Sequence, residues 1–313
     1  MLILLFILGH LIADYPLQSD RLVKKKQSGT MGVFQHVGIH LITYVVLVIV
    51  SIFLGLIEFN VIIIFYLFII CLLHLLTDLI KEKLNNRIVK CSNLSPHQIS
   101  MRLTLLYISD QLIHIFSIVA FAILLFEDYN SLPNKLIDFV TARETIELNF
   151  QTKIIGTLII LLTNTYFFGH LIGKMLSEFR PTNKIIETSI EGSFTSSNTN
   201  LRYEGFSELN IETQLDKYVT KAEDDVKLNK KISFISDSPP KAGMWIGVLE
   251  RNLILILCVS NNLSSIGFLI AMKALTRFKQ FDDKSFSEYY LIGTMLSVIL
   301  GITAGFVMNF IWG

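Results

Sequence analysis

Every aspartate inside an apolar run of this chain stands four residues from a histidine: His10 and Asp14, His74 and Asp78, Asp110 and His114. A further run carries His36 and His40 at the same spacing. In a helix this spacing points both members of a pair from one face, with side chains about 6 Å apart. Ionisable groups in an apolar span are costly and rare, so they mark a functional site by default. Four such pairs suggest one shared site, most simply a metal site. Imidazole and carboxylate suit Zn²⁺, Mn²⁺ or Fe, and a thiolate-free pattern argues against copper(I) and iron–sulfur chemistry. The expected cofactor is a divalent ion, zinc or manganese, with ligands enough for one or two. Two ions about 3.5–4 Å apart would clamp a phosphoryl group and activate a water. Gln18, Gln35, Thr77 and Gln111 lie close in sequence and are candidates to orient the ligands. Lys81, one turn beyond Asp78, is placed to neutralise a phosphate or cap its own helix. His170, in YFFGHLIG, is a candidate extra ligand and otherwise a packing histidine.

The elements that must position these groups are apolar helices. The chain has 313 residues, of which 52% are hydrophobic and 17% charged, with a mean hydropathy of +0.55. Apolar runs cover approximately 1–15, 33–57, 60–84, 100–126, 152–176, 244–260, 263–276 and 286–312. They do not alternate as barrel strands would. The reading is an all-α polytopic membrane protein with about seven or eight transmembrane or membrane-embedded helices. A net charge of +1 gives no footprint for nucleic acid. Cys71, Cys91 and Cys258 share no metal-type spacing and read as unpaired thiols. The leading segment MLILLFILGHLIADYPLQ lacks a basic leader and a cleavage site, so it reads as a retained helix ending near Pro16.

Four regions follow: 1–126, a four-helix His/Asp membrane module; 127–179, an extracytoplasmic loop and fifth helix; 180–242, a polar cytoplasmic loop or small insert with a β-prone KISFIS run; and 243–313, a C-terminal helical hairpin plus final helix. The runs 244–260 and 263–276 are short, and form either a tight hairpin or a partly re-entrant pair. Arg21, Lys24, Lys25 and Lys26 follow the first run, and Lys81, Lys83, Arg87, Lys90 and Arg102 follow the third, whereas the second turn offers only Glu58. The basic connections are therefore expected in the cytoplasm and the N-terminus outside. On that orientation all eight His and Asp groups fall in one layer below the cytoplasmic surface. A second constellation comprises Glu250, Arg251 and Asn252, then Lys273 and Arg277, then Glu288. Adjacent Glu250 and Arg251 face different sides of a helix, so Glu250 is expected to pair with Lys273 or Arg277. The alternative is a basic lining for an anionic lipid headgroup.

The ordered motifs GHLIADYPLQSDRLVKKK, FQHVGIH, LLHLLTDLIKEKL and SDQLIHI resemble an uncharacterised bacterial inner-membrane family, a domain of unknown function. AGMWIGVLERNLILI, IGFLIAMKALTRFKQF and SEYYLIGTMLS resemble the C-terminal extension of its longer members. The resemblance implies an inner-membrane location and puts the eight His and Asp residues at motif positions; it implies no activity. A looser similarity, in residue type and placement only, is to membrane-bound metal-dependent hydrolases. The leading expectation is hydrolysis of a lipid-linked phosphate ester, the membrane lipids being the immediate partners and an oligomer remaining open. A di-iron oxidase would use the His-x-x-x-His of FQHVGIH but lacks adjacent His-His boxes. An ion-coupled transporter would place its site nearer the midplane, in broken helices and repeats not found here. A non-catalytic scaffold or sensor would use the cluster only to staple helices.

Overall fold

Local signals in the sequence start and stop the helices. In the computed structural model, which describes residues 1–126, 148–179, 186–192, 228–234 and 242–313, α1 (Leu2–Asp14) ends just ahead of Pro16, whose ring nitrogen has no N–H to continue the helical ladder. Helix α2 (Asp20–Ser28) is capped by Ser19 Oγ, which accepts from Leu22 N at 3.4 Å, and carries Asp20 in its first turn and Lys25 and Lys26 in its last. Those charges complement the helix dipole. Helix α3 (Thr30–Phe53) follows. Asn60 caps α4 (Val61–Lys90) by accepting from Ile62 N at 2.9 Å. Proline opens α5 (Pro96–Phe126) at a position where its missing N–H costs nothing. Asn149 caps α6 (Phe150–Leu162), which passes through a π-helical turn at Thr163–Phe167 into α7 (Phe168–Met175). The C-terminal half contributes α8 (Ala242–Val259), α9 (Ser264–Thr276) and α10 (Lys284–Trp312), the last capped by Asp283.

Among the described residues, six helical segments are long and apolar enough to cross a membrane: Thr30–Phe53, Val61–Lys90, Pro96–Phe126, Phe150–Met175, Ala242–Val259 and Lys284–Trp312. Leu2–Asp14 and Ser264–Thr276 are shorter apolar helices. The apolar part of the chain is therefore all-α and polytopic, as expected, and six long plus two short helices match the number of apolar runs. Large apolar side chains such as Ile42, Phe53, Phe68, Phe116 and Phe310 lie outward and exposed. That pattern suits lipid and exceeds what a water-facing surface carries.

Two compact units divide the chain: residues 1–181 with 241–313, and residues 182–240. In the second, Ile186–Gly192 pairs antiparallel with Leu228–Phe234, in the register Ile186 to Phe234 and Gly192 to Leu228. A β ribbon thus occupies part of the stretch read as a loop or insert, and the KISF segment lies in its second strand. Most of that stretch lies outside the described residues, as does the central part, 127–147, of the connection read as extracytoplasmic.

In the first unit α1, α3, α4 and α5 share an apolar core of Phe6, Tyr44, Val48, Tyr66, Ile70 and Ile118. Tyr66 Oη donates to the Ile118 carbonyl at 2.6 Å, so even its hydroxyl is satisfied. Gly9 lets α1 close on α3, since a Cβ there would come within 2.8 Å of the Tyr44 ring. Leu5 and Leu8 join Ile155 to hold α6 against α1. Further along, Gly301 meets Ile254 and Gly305 meets Cys258. These contacts advance together along both chains, so α8 and α10 run parallel and α9 returns between them.

Candidate functional site

The structure brings all eight His and Asp candidates into one buried cluster above the apolar core, each at most 9% exposed. Helix α1 supplies His10 and Asp14, α3 His36 and His40, α4 His74 and Asp78, and α5 Asp110 and His114. Each pair projects inward because its four-residue spacing continues the stripe that buries the core residues one turn away: Phe6 on α1, Tyr44 on α3, Ile70 on α4 and Ile118 on α5.

Three of these groups converge tightly. His36 Nε2 and His40 Nε2 each lie 3.0 Å from Asp14 Oδ1, and 3.2 Å from one another. Ligand atoms around a tetrahedral zinc, with bonds of about 2.0–2.1 Å, stand about 3.3 Å apart. The triangle therefore has nearly the edge lengths that an ion would impose. His74 completes a group with Asp14, His36 and His40 whose ligand atoms all lie within 4.8 Å of one another, and it joins Asp78 and His114 in a second such group. One ring nitrogen binds one ion, so His74 Nε2 can serve only one of the two. The His74 and His114 rings stack at 4.0 Å, and the His40 and His74 rings lie 3.9 Å apart. Buried His74 Nε2 and His114 Nε2 have no hydrogen-bonding partner among the described residues. Their nearest carboxylate oxygens are Asp78 Oδ2 at 3.7 Å and Asp110 Oδ1 at 3.3 Å. A divalent ion would satisfy both nitrogens. One feature departs from the usual pattern of metal-bound histidine: the Nδ1 atoms of His10, His36 and His40 also have no partner among the described residues, where a second hydrogen bond commonly orients the ring.

Around this cluster sit the groups that hold it. Gln111 donates to Asp14 Oδ2 at 2.8 Å and to Asp110 Oδ2 at 3.2 Å, while its Oε1 faces His10 Nε2 at 3.4 Å. Lys81 donates to Asp110 Oδ2 at 2.7 Å and stands 3.9 Å from Asp78 Oδ1. Gln18 donates to the Asp14 carbonyl at 3.0 Å, closing the end of α1 without touching a ligand atom. Gln35 and Thr77 orient nothing in the cluster: Gln35 is exposed and accepts from Lys25, and Thr77 bonds back to the Leu73 carbonyl. His170 is exposed, with Nδ1 on the Tyr166 carbonyl and its ring 5.6 Å from Tyr15; an exposed imidazole turned to its own helix is not an extra ligand.

Sequence reasoning missed Lys26. Read only as part of a basic run, it is 5% exposed and its Nζ lies 2.7 Å from Asp78 Oδ2. A signal was there: Lys26 and Leu22 are four apart, on the one buried face of a helix made, apart from Leu22 and Val23, of charged and polar residues. The segment expected to be a loop is α2, held so close to α3 that a Cβ on Gly32 would run into the Lys25 and Lys26 backbone. Tyr15 and Tyr107 were also missed; their hydroxyls bond at 2.7 Å, and Tyr15 reaches Gln111 Oε1 at 3.3 Å.

The second constellation resolves into separate contacts. Glu250 pairs with Lys273 at 2.6 Å, as expected across the hairpin. Arg277 instead is half-buried and binds Gln280, so it takes no part in that pair. Arg251 turns away from Glu250, being one residue further round the helix. It donates to the carbonyls of Asn164 and Thr165 in the π-helical turn, at 2.9 and 3.2 Å. Asn252 completes the junction with Asn164 and Thr165.

A bundle of apolar helices with inward His and Asp pairs defines a multi-pass membrane protein carrying a cluster able to bind metal. Residues 2–142 match the model of a family described as a protein of unknown function (DUF3307). The match takes in all eight ligand candidates and stops before the C-terminal half, and the resemblance read from the N-terminal motifs holds over that range. No curated protein and no solved structure matches the chain.

Proposed function

We propose that the cluster is a divalent metal centre, of zinc or manganese, that hydrolyses the phosphate ester of a membrane lipid. The observation that carries the reading is the meeting of Asp14, His36 and His40 at 3.0–3.2 Å beside two buried ring nitrogens without hydrogen-bonding partners among the described residues. Asp14, His36 and His40, with His74, would hold one ion; Asp78, Asp110 and His114 would hold a second. Bound metal would lower the pKa of a coordinated water and polarise a phosphoryl oxygen. The protein's own part is to fix the ligands: Gln111 locks Asp14 and Asp110, and the apolar core below keeps the rings inward and bulk water out. The substrate class follows from depth. His36 and His40 lie six and ten residues into α3, about 9–15 Å at 1.5 Å per residue, within reach of a headgroup whose tail stays in the bilayer.

A second reading has its own support. Every carboxylate already has a partner within the protein, Asp14 with imidazoles, Asp78 with Lys26 and Asp110 with Lys81, which suits a polar clasp in a scaffold. Metal content of detergent-purified protein, by plasma mass spectrometry, separates the two. One or two equivalents in wild type, lost in the His74→Ala, Asp78→Ala double variant together with release of phosphate from a lipid phosphate, supports the hydrolase. A wild type that stays empty after reconstitution with zinc and manganese leaves the clasp.

A further inference from the structure

Two lysines inside the cluster have no place in ordinary metal coordination. Lys26 arrives from α2 and Lys81 from the turn of α4 beyond Asp78, and each sits 2.7 Å from a different carboxylate, Asp78 and Asp110. Both lie at the end of the bundle where α2 and the C-terminal part of α4 carry the exposed Lys24, Lys25, Lys83, Arg87 and Lys90. They therefore close the cluster on its polar side, between the ligand candidates and the basic surface. Lys174 extends the positive lining, its ammonium 5.4 Å from the Tyr107 ring.

Charge decides what these lysines can do. In their ordinary ionised forms the three aspartates and two lysines leave one net negative charge among neutral imidazoles. One divalent ion turns that sum to one positive charge, and two ions turn it to three. Net charge in a low-dielectric interior is costly, so a loaded centre calls for an anion. Two ions with a hydroxide and a phosphate monoester dianion would come to zero. As metal draws Asp78 and Asp110, both ammonium groups lose part of their partners while staying beside the ions. An ammonium is a compact phosphate binder.

Resting on the metal-centre reading, we propose that Lys26 and Lys81 form a phosphate-binding site that opens only when the centre is loaded. In the metal-free state they are counter-ions to Asp78 and Asp110; in the loaded state they hold the phosphoryl oxygens of a phosphate monoester. Free phosphate and a lipid headgroup share this chemistry.

The test is calorimetric titration of inorganic phosphate into detergent-purified protein, with and without zinc. The variants are Lys26→Met, Lys81→Met and the corresponding arginines. Phosphate should bind the zinc-loaded wild type and not the metal-free protein. Each methionine variant should keep the zinc stoichiometry and bind phosphate at least tenfold more weakly, and the arginines should restore part of the affinity. A lipid phosphate that competes with inorganic phosphate identifies a headgroup site; one that does not identifies a site for free phosphate. Normal zinc uptake with unchanged phosphate affinity in both methionine variants would overturn the lysine assignment alone. Loss of zinc in those variants would make the lysines structural and overturn it as well. A wild type that takes up no zinc would remove the centre, and this inference with it.

Discussion

Asp14 is where four helices meet. One of its oxygens faces His36 and His40 from α3 and the other accepts from Gln111 on α5, while Lys26 and Lys81 reach the cluster through Asp78 and Asp110. Gln111 touches Asp14, Asp110, His10 and Tyr15 without being a ligand candidate itself. Replacing it should loosen the geometry and leave the ligand count alone. Gln111→Leu is expected to bind zinc with unchanged stoichiometry and about 10–100-fold lower affinity, the usual cost of losing a supporting hydrogen bond. Competition against a chromogenic chelator measures it; wild-type affinity in the variant would show that Gln111 supports nothing. This residue stood beside Asp110 in the sequence and was legible as a candidate. Lys26 was not, because the cluster of Arg21, Lys24, Lys25 and Lys26 carries a topological signal that hides which of them turns inward.

At the scale of elements, the C-terminal half is built on close helix contact and on the junction of Arg251 with the π-helical turn. Gly301 and Gly305 let α10 lie against α8, where Cys258 and Ile254 fill the space a side chain would take. In a membrane such small residues supply the packing that the hydrophobic effect does not. Gly305→Leu should force the pair apart and destabilise this half by about 1–3 kcal/mol, read as a lower unfolding midpoint in detergent. Zinc uptake should survive, since no ligand candidate lies on α8 or α10. Loss of metal in this variant would show that the two halves depend on one another. The parallel course of α8 and α10 was not legible in the runs 244–260 and 286–312, because hydropathy gives length and says nothing of direction. Helix α9, with 13 residues, is about 20 Å long, short of the roughly 30 Å core, so it does not cross it as a straight helix.

For the whole molecule, the basic residues after α1 and α4 argue for a cytoplasmic placement of the clustered site. Cys91 gives a direct handle on this. It is exposed at the end of α4, whereas Cys71 and Cys258 are buried. A membrane-impermeant maleimide should leave intact cells unlabelled and should label Cys91 in inverted vesicles. Labelling of intact cells would reverse the orientation and set the site on the opposite face.

Composition and hydrophobic periodicity alone determined that this chain is a bundle of apolar helices, because burial in lipid demands long apolar runs with internally satisfied backbones. The four-residue spacing determined that each His and Asp pair shares a helix face, since that follows from helical pitch. Only the tertiary structure decided that the four faces meet in one cluster rather than two, for that depends on how α1, α3, α4 and α5 pack around Phe6, Tyr44 and Tyr66. It alone turned Lys26 inward, through the tight α2–α3 contact at Gly32. It also separated Arg251 from Glu250, because neighbours on a helix point about 100° apart and the surrounding helices choose a partner for each.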